Sequence, residues 1–189
     1  MNNWTDQIYV SMNAGQRQIA DVIESRLADH YVSQGGEHAQ SVRTIEDVSF
    51  NNKLIDIKTR DINRKFSMPN LISVARLRNN KDKDIMYHFV DYEITKEIEE
   101  LQEAKIEIRN QTILNIWDID WSVLKIQNLG KGQLQLCGVT DYENIPMWKW
   151  TREDWFDRLD IEIANFYNKQ IKKFQLMLKD LERSSELRG

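Results

Sequence analysis

Two aspartates and a lysine stand close together between residues 47 and 58. Asn51 and Asn52 predict a two-residue type I′ turn, because asparagine tolerates the positive φ that this turn requires. With this turn, Asp47 faces Asp56 on the neighbouring strand. Side chains alternate between the two faces of a strand, so Lys58 lies on the same face as Asp56. The hairpin therefore presents two carboxylates and one ammonium group together.

Like charges directly opposite one another destabilise a sheet, so this aspartate pair needs compensation. Either one carboxyl group is protonated or a cation lies between the two. Two carboxylates, with waters and substrate phosphate oxygens, are a usual way to bind Mg²⁺. Lys58 could then orient or deprotonate an attacking water and offset charge on a phosphate. On spacing alone, the alternative is a surface hairpin in which Lys58 screens the aspartate pair.

The patterns around this hairpin predict an α/β or α+β fold, with a central mixed sheet flanked by helices, in a single domain over residues 1–189. The predicted elements are a helix over 14–31, a loop over 33–41, a hairpin over 42–59, a helix starting at Pro69, strands at 84–94, 105–117 and 133–136, a short acidic helix at 95–103, and a long helix behind a Thr151–Asp154 capping box. Gln133 and Gln135 alternate with leucines, which indicates a half-buried strand with one polar face.

The composition, with 30% charged and 41% hydrophobic residues, is that of a soluble globular protein. No apolar run is long enough to span a membrane, and the N-terminal residues lack signal-peptide character. We therefore expect a cytoplasmic protein. The single cysteine, Cys137, excludes an intrachain disulfide and a cysteine-rich zinc site. A small core residue is the favoured interpretation of Cys137 over a catalytic nucleophile.

The charges are unevenly distributed along a chain whose formal net charge is −4. Between Lys53 and Lys83 there are nine basic residues and only three acidic ones. An acidic chain with one basic segment can present a cationic face to phosphates. Charge alone is equally compatible with a solvated helix-and-loop surface.

The spacing of Asp47, Asp56 and Lys58 resembles the motif of the PD-(D/E)XK nucleases. The stretch "LIDIKTRDINRKFSMPNLIS", residues 54–73, is similar to the HincII-type branch of the type II restriction endonucleases. In that branch, L-[LI]-D-[VI]-K-T-R-[ND]-I is followed after six residues by P-N-[LI]-I-S. The segments "AGQ" at 14–16 and "TREDW" at 151–155 resemble the starts of its first and last helices.

The resemblance implies a restriction-endonuclease-like fold and Mg²⁺-dependent, sequence-specific cleavage of double-stranded DNA into 5′-phosphate and 3′-hydroxyl ends. It assigns Asp47 and Asp56 as metal ligands, Lys58 as the catalytic lysine and Glu24 as a possible auxiliary acid. From the residues alone, the favoured alternative is that Glu24 is a solvated helix residue. A homodimer, a prokaryotic cytoplasm and a cognate DNA methyltransferase as genetic partner are also implied.

DNA contacts are implied at two segments, the loop from Arg60 to Asn70 and the segment "KIQNLGKGQLQL". The candidate DNA-binding residues are Arg60, Ser67, Asn70, Gln127, Asn128, Lys131 and Gln133. Amide side chains pair bidentately with adenine, and a lysine can contact guanine or phosphate. The alternative is a glycine-bent strand whose glutamines face water. At the level of function, the rivals are a repair or recombination nuclease of the same superfamily and a catalytically inactive DNA-binding protein on this fold.

Overall fold

The computed structural model describes residues 4–40, 46–66, 68–98, 101–127 and 132–186. In chain order, the elements are β1 (Ile8–Ser11), α1 (Gln16–Ser33), β2 (Glu37–His38), β3 (Val48–Phe50), β4 (Lys53–Asp61), β5 (Asn70–Ser73), α2 (Val74–Asn79), β6 (Asp84–Ile98), β7 (Glu103–Asn115), β8 (Leu124–Gln127), β9 (Gln133–Leu136) and α3 (Arg152–Glu186), with 3₁₀ turns at Ile116–Asp118 and Trp121–Val123. Within the described residues, no helix is long and apolar enough to cross a membrane.

Six strands form a mixed sheet in the order β1-β7-β6-β4-β3-β2. β4 and β6 run parallel, whereas the other pairs are antiparallel. One face packs against α1 through Ile23 and Leu27, and this cluster includes Ile55 and Ile57 of β4. The predicted α+β class is therefore confirmed, and the alternation of β4 leaves Asp56 and Lys58 on the opposite face.

The opposite face of the sheet is covered by a second sheet, in the order β5-β9-β8, and by the start of α3. Tyr87 and Phe89 of β6 lie in one cluster with Leu134 of β9 and with Trp155 and Leu159 of α3. The predicted capping box at the start of α3 is present, since the Asp154 carboxylate accepts a hydrogen bond from the Thr151 backbone amide at 3.0 Å. The long C-terminal helix is confirmed.

Two predicted helices were wrong in type or extent. The chain predicted as an acidic helix at 95–103 continues β6 as far as Ile98, and β7 starts at Glu103. Lys96 pairs with Lys105 in that hairpin, so cross-strand pairing outweighs helix propensity. The helix predicted from Pro69 starts at Val74, because 70–73 pair with β9 as β5 and the Ser73 hydroxyl caps α2.

Candidate active site and nucleic-acid surface

The turn between β3 and β4 sets the geometry of the candidate active site. Asn51 and Asn52 have φ values of 50° and 61°, as the predicted type I′ turn requires. Val48 consequently pairs with Ile55, in the predicted register. Residues 42–45 of the predicted hairpin lie outside the described residues. Asp47 directly precedes β3 and is thus brought beside the middle of β4.

Asp47 is fixed to β4 by both its backbone and its side chain. Its backbone amide donates to the carbonyl of Ile55 at 2.9 Å. Its Oδ2 atom accepts a hydrogen bond from the backbone amide of Ile57 at 2.7 Å. Because β3 begins only at Val48, this carboxylate takes the place of a strand partner for Ile57. One Asp47 oxygen is therefore held next to Asp56.

Asp56 and Lys58 form an ion pair on the face of β4 that lies beside the tyrosine and phenylalanine of β6. The Lys58 Nζ atom lies 2.8 Å from Oδ1 of Asp56. Asp56 is 7% exposed, and its strand neighbour Tyr87 is fully buried. Burial raises the pKa of the Asp56 carboxyl to about 7; Lys58 opposes the rise and Asp47 adds to it. The ammonium thus compensates only part of the cost of burying Asp56.

Glu24 of α1 joins this group electrostatically. It is half-buried, and burial raises the pKa of its carboxyl to about 7. Lys58 lowers this pKa, whereas Asp47 and Asp56 raise it. The structure therefore places Glu24 within electrostatic reach of the predicted triad. Three carboxylates and one lysine are thus grouped here, and we call these four residues the acidic cluster.

The donor chemistry of the acidic cluster fits a hard divalent cation. Carboxylate oxygens are the side-chain ligands that Mg²⁺ prefers, and the excess of negative charge would favour its binding. In the described part of the chain, no three histidine, cysteine, aspartate or glutamate side chains are grouped to hold a metal ion by themselves. A cation here would therefore use Asp47 and Asp56, with its other positions filled by water and substrate oxygens, as is usual for Mg²⁺.

A buried tyrosine borders the acidic cluster. The Tyr87 hydroxyl has no hydrogen-bond partner among the described residues, although the side chain is fully buried. Its pKa is raised far above the ordinary value, first by burial and then by the Asp56 and Asp47 carboxylates. Sequence reasoning did not identify Tyr87, since its only signal is its position in a strand next to Asp56.

The second sheet presents polar side chains on the face that points away from the core. Gln135 of β9 pairs with Asn70 on one side and with Lys125 on the other, and Gln133 pairs with Gln127. Cross-strand partners share a face, so these five side chains form one surface, which we call the amide face. Leu134 and Leu136, at the alternate positions, are fully buried. The predicted half-buried strand with a polar side is confirmed.

Hydrogen bonds order the amide face. Gln135 Nε2 donates to the carbonyl of Met68 at 3.0 Å, and Gln127 Nε2 donates to Gln135 Oε1. The structure thus brings together three predicted DNA-binding residues, Asn70, Gln127 and Gln133. It adds Gln135 and Lys125, for which the alternation along β8 and β9 was an available signal. Ser67, Asn128 and Lys131 lie outside the described residues.

Arg60, the remaining predicted DNA contact, is engaged inside the protein. Its Nε atom lies 2.8 Å from Oδ1 of the buried Asp91, and its guanidinium group also donates to the carbonyl of Thr140. The rings of Phe66 and Tyr142 lie 5.3 and 5.6 Å from the guanidinium carbon. These contacts join the end of β4 to two loops. Arg60 therefore supports the loop that leads from the acidic cluster to the amide face.

Cys137 is half-buried and has no disulfide partner in the chain. Burial raises the pKa of its thiol, and Lys125 opposes the rise. A raised pKa keeps the sulfur in its thiol form, which is the less nucleophilic one. This environment agrees with a structural role for Cys137.

The comparisons with known proteins give a fold and no sequence family. No protein-family model matches the chain, and no curated protein matches it. Among solved structures, 39 chains are similar. One of them is the NlaIV restriction endonuclease, with a TM-score of 0.57 and 13% identity over 82% of this chain and 71% of that chain. The predicted restriction-endonuclease-like fold is thereby confirmed.

Proposed function

We propose that this chain is a Mg²⁺-dependent type II restriction endonuclease of the PD-(D/E)XK superfamily, related to the HincII-type branch. The observation that carries the proposal is the position of Asp47, Asp56 and Lys58, held together by the β3–β4 hairpin of a restriction-endonuclease-like fold. Each of the three residue types has a role in phosphodiester hydrolysis. The amide face offers side chains suited to reading base edges.

In the proposed reaction, a water molecule attacks a phosphodiester in line with the bond that breaks. The water oxygen forms a new bond to phosphorus as the P–O3′ bond breaks. The proton that the water loses is balanced by the one the 3′ oxygen gains, so the products are a 5′-phosphate and a 3′-hydroxyl.

Each member of the acidic cluster has a separate task in this reaction. Lys58 orients the attacking water and places positive charge near the phosphate. Asp47 and Asp56 would hold Mg²⁺, with Glu24 as an auxiliary acid. When bound, Mg²⁺ supplies charge that offsets the charge developing on the phosphate.

The proposal extends to DNA and to a second subunit. Asn70, Gln127, Gln133 and Gln135 would contact base edges, and Lys125 a guanine or a phosphate. Cutting both strands of a short palindrome requires two sites related by a twofold axis, so the active form would be a homodimer. A cognate methyltransferase would protect the same sequence in the host.

Digestion of a sequenced, unmethylated phage genome tests the proposed function. With Mg²⁺ present, the purified protein should give discrete fragments whose sequenced ends share one short palindrome. Asp56→Asn protein, purified in the same way, should give none. Smearing without a common end sequence, or no cleavage by the wild-type protein, would contradict a restriction endonuclease.

Two rival functions predict different results. A repair or recombination nuclease of the same superfamily would cut flaps, branches or ends and leave mixed-sequence duplex intact. A catalytically inactive DNA-binding protein on this fold would bind duplex DNA and cut no substrate. Calorimetric titration with Mg²⁺ separates this second rival, because only a nuclease site should show binding that Asp47→Asn abolishes.

A further inference from the structure

The C-terminal half of α3 extends beyond the core that its first half covers. Trp155 and Leu159 are fully buried in the cluster on the face of the large sheet. Every described side chain from Ile171 to Arg183, in contrast, is exposed. The helix thus continues for three turns without covering any described part of its own chain.

These exposed turns carry a narrow row of large apolar side chains. The row consists of Ile171, Phe174, Met177, Leu178 and Leu181, each between 51% and 65% exposed. We call it the distal seam. It continues the side of the helix that carries Phe156, Leu159 and Ile163 against the core. An apolar row of this size on a helix marks an interaction surface.

The spacing within the distal seam identifies the shape of its partner. Ile171, Phe174, Leu178 and Leu181 follow one another at intervals of three, four and three residues. This is the a/d pattern of a coiled coil, in which each side chain fits between four residues of a facing helix. The partner is therefore another helix with an apolar seam of similar length.

The charges around the distal seam favour an identical helix as that partner. In heptad terms, the flanking e and g positions between Gln170 and Met177 are Gln170, Gln175 and Met177, which are uncharged, and Glu182 lies at the e position after Leu181. The lysines at 169, 172, 173 and 179 lie at b, c and f positions, away from the seam. From Ile171 to Leu178, two copies can consequently approach without like-charge repulsion, and a strongly charged partner would find no complementary charge along that part of the seam.

The surface area that two paired seams would bury is also large enough for a specific interface. Burying the exposed parts of five such side chains on each of two helices removes on the order of 1,000 Å² from water, near the lower limit for a specific interface. We propose that the distal seam pairs with the distal seam of a second copy of this chain in a two-helix coiled coil. The choice of a second copy over a different helical protein rests partly on the proposed function, which requires twofold symmetry.

The mass of the full-length protein in solution, without DNA or divalent cations, tests this pairing. Wild-type protein should sediment at twice the 22.5 kDa mass of the chain. Phe174→Lys with Leu178→Lys places two charges in the distal seam and should give the mass of one chain. A wild-type monomer, or a dimer that persists in this double variant, would overturn the proposal.

The same helix supplies a matched control. Ile161 and Leu176 are 53% and 63% exposed and lie off the distal seam. The double variant Ile161→Lys with Leu176→Lys makes the same chemical change and should remain dimeric. A monomer here would mean that added charge anywhere on α3 disrupts the dimer, and it would also overturn the proposal.

Far-UV circular dichroism verifies that each variant keeps its helix content. If the seam variant loses helix, Leu178→Gln replaces it, with an expected rise of at least about tenfold in the dimer Kd; an unchanged Kd would overturn the proposal.

This measurement is independent of catalysis. If the seam substitution dissociates the dimer and the wild-type protein cleaves no DNA, the proposed helix pairing is supported and the proposed nuclease activity is contradicted. If the wild-type protein cleaves DNA at a specific site and its dimer persists after the seam substitution, the nuclease activity is supported and the helix pairing is contradicted. Asp56→Asn protein should form the same dimer as wild type.

Discussion

The Lys58 ammonium lies 2.8 Å from Oδ1 of Asp56, two residues away on the same face of β4. This lysine is one quarter exposed, whereas the Asp56 side chain is 10% exposed, so the pair lies at the edge of the buried sheet. The same ammonium lowers the pKa of the Glu24 carboxyl, and Asp47 raises the pKa values of both Asp56 and Glu24. The relationship gives Lys58 a fixed position beside an excess of negative charge. That excess would favour a divalent cation, and the cation together with the Lys58 ammonium would offset the charge of a phosphate.

Glu24 should make the metal-free protein less stable as the pH rises. Its pKa is raised in the folded chain from 4.5 to about 7, mainly by burial, so the folded state binds a proton that the unfolded state has released. The contribution of the protonated Glu24 carboxyl to the unfolding free energy is therefore fully present below pH 4.5 and is lost as the pH rises through about 7. Glu24→Gln should reduce this loss, as measured by urea unfolding without divalent cations.

The matched control is Glu153→Gln, since Glu153 is exposed in the first turn of α3. It should leave the pH dependence of the unfolding free energy as in wild type. An identical pH dependence in the Glu24 variant and wild type would show that Glu24 is solvated in solution.

His88 should act in the opposite direction. It is 4% exposed, with Nδ1 2.9 Å from the Tyr31 hydroxyl and Nε2 3.0 Å from Gln111 Oε1. Burial lowers the pKa of His88 from 6.5 to about 4. Between these two pH values, His88 takes up a proton in the unfolded chain but not in the folded one. Stability should be lost as the pH falls from 6.5 through about 4. The difference in unfolding free energy between wild type and His88→Gln should shrink over that interval; a constant difference would contradict burial of a neutral His88.

Arg60→Ala should destabilise the fold strongly, because it leaves the Asp91 carboxylate buried without its partner. Breaking a buried pair in this way typically costs about 3–5 kcal/mol in unfolding free energy. Arg78→Ala is the control, since both side chains of the Arg78–Asp160 pair are more than half exposed, and such pairs are worth about 0–1 kcal/mol. Equal stability of the two variants, combined with weaker DNA binding by Arg60→Ala alone, would assign Arg60 to DNA instead.

Tyr87→Phe and Tyr31→Phe remove the same atom with opposite consequences. The Tyr87 hydroxyl is buried without a partner among the described residues, so its loss should leave the unfolding free energy unchanged or raise it by about 1 kcal/mol. The Tyr31 hydroxyl is hydrogen-bonded to His88, and its loss should cost about 1 kcal/mol. Thermal or urea unfolding of both variants measures the contrast. A clear loss of stability in Tyr87→Phe would mean that its hydroxyl is hydrogen-bonded in solution.

Local signals were sufficient to predict the central hairpin. The Asn51–Asn52 turn depends on the φ preferences of two residues, and it determines the register that brings Asp47 to β4. The same holds for the start of α3, where Thr151 and Asp154 form a cap within four residues of sequence. Structural features whose contacts lie within one turn of the chain can be inferred from the residues that form them.

Features that depend on distant partners could not be predicted in this way. Residues 70–73 form a strand because β9, some sixty residues later, pairs with them. The contact of Arg60 with Asp91 was not predicted, because nothing in the neighbours of Arg60 indicates that Asp91 would accept its guanidinium group, and its DNA contact stays a prediction. Glu24 belongs to the acidic cluster only because α1 packs beside β4. In each case, tertiary packing decides what local sequence leaves open.

The most direct test of the central claim is the rate at which the protein linearises supercoiled plasmid carrying its site, with Mg²⁺ present. Asp56→Asn and Lys58→Gln should each lower this rate by at least about a hundredfold. Asp157→Asn, an exposed carboxylate on α3, should cleave like wild type. Folded Asp56→Asn and Lys58→Gln proteins that cleave at the wild-type rate would contradict an active site built on Asp56 and Lys58.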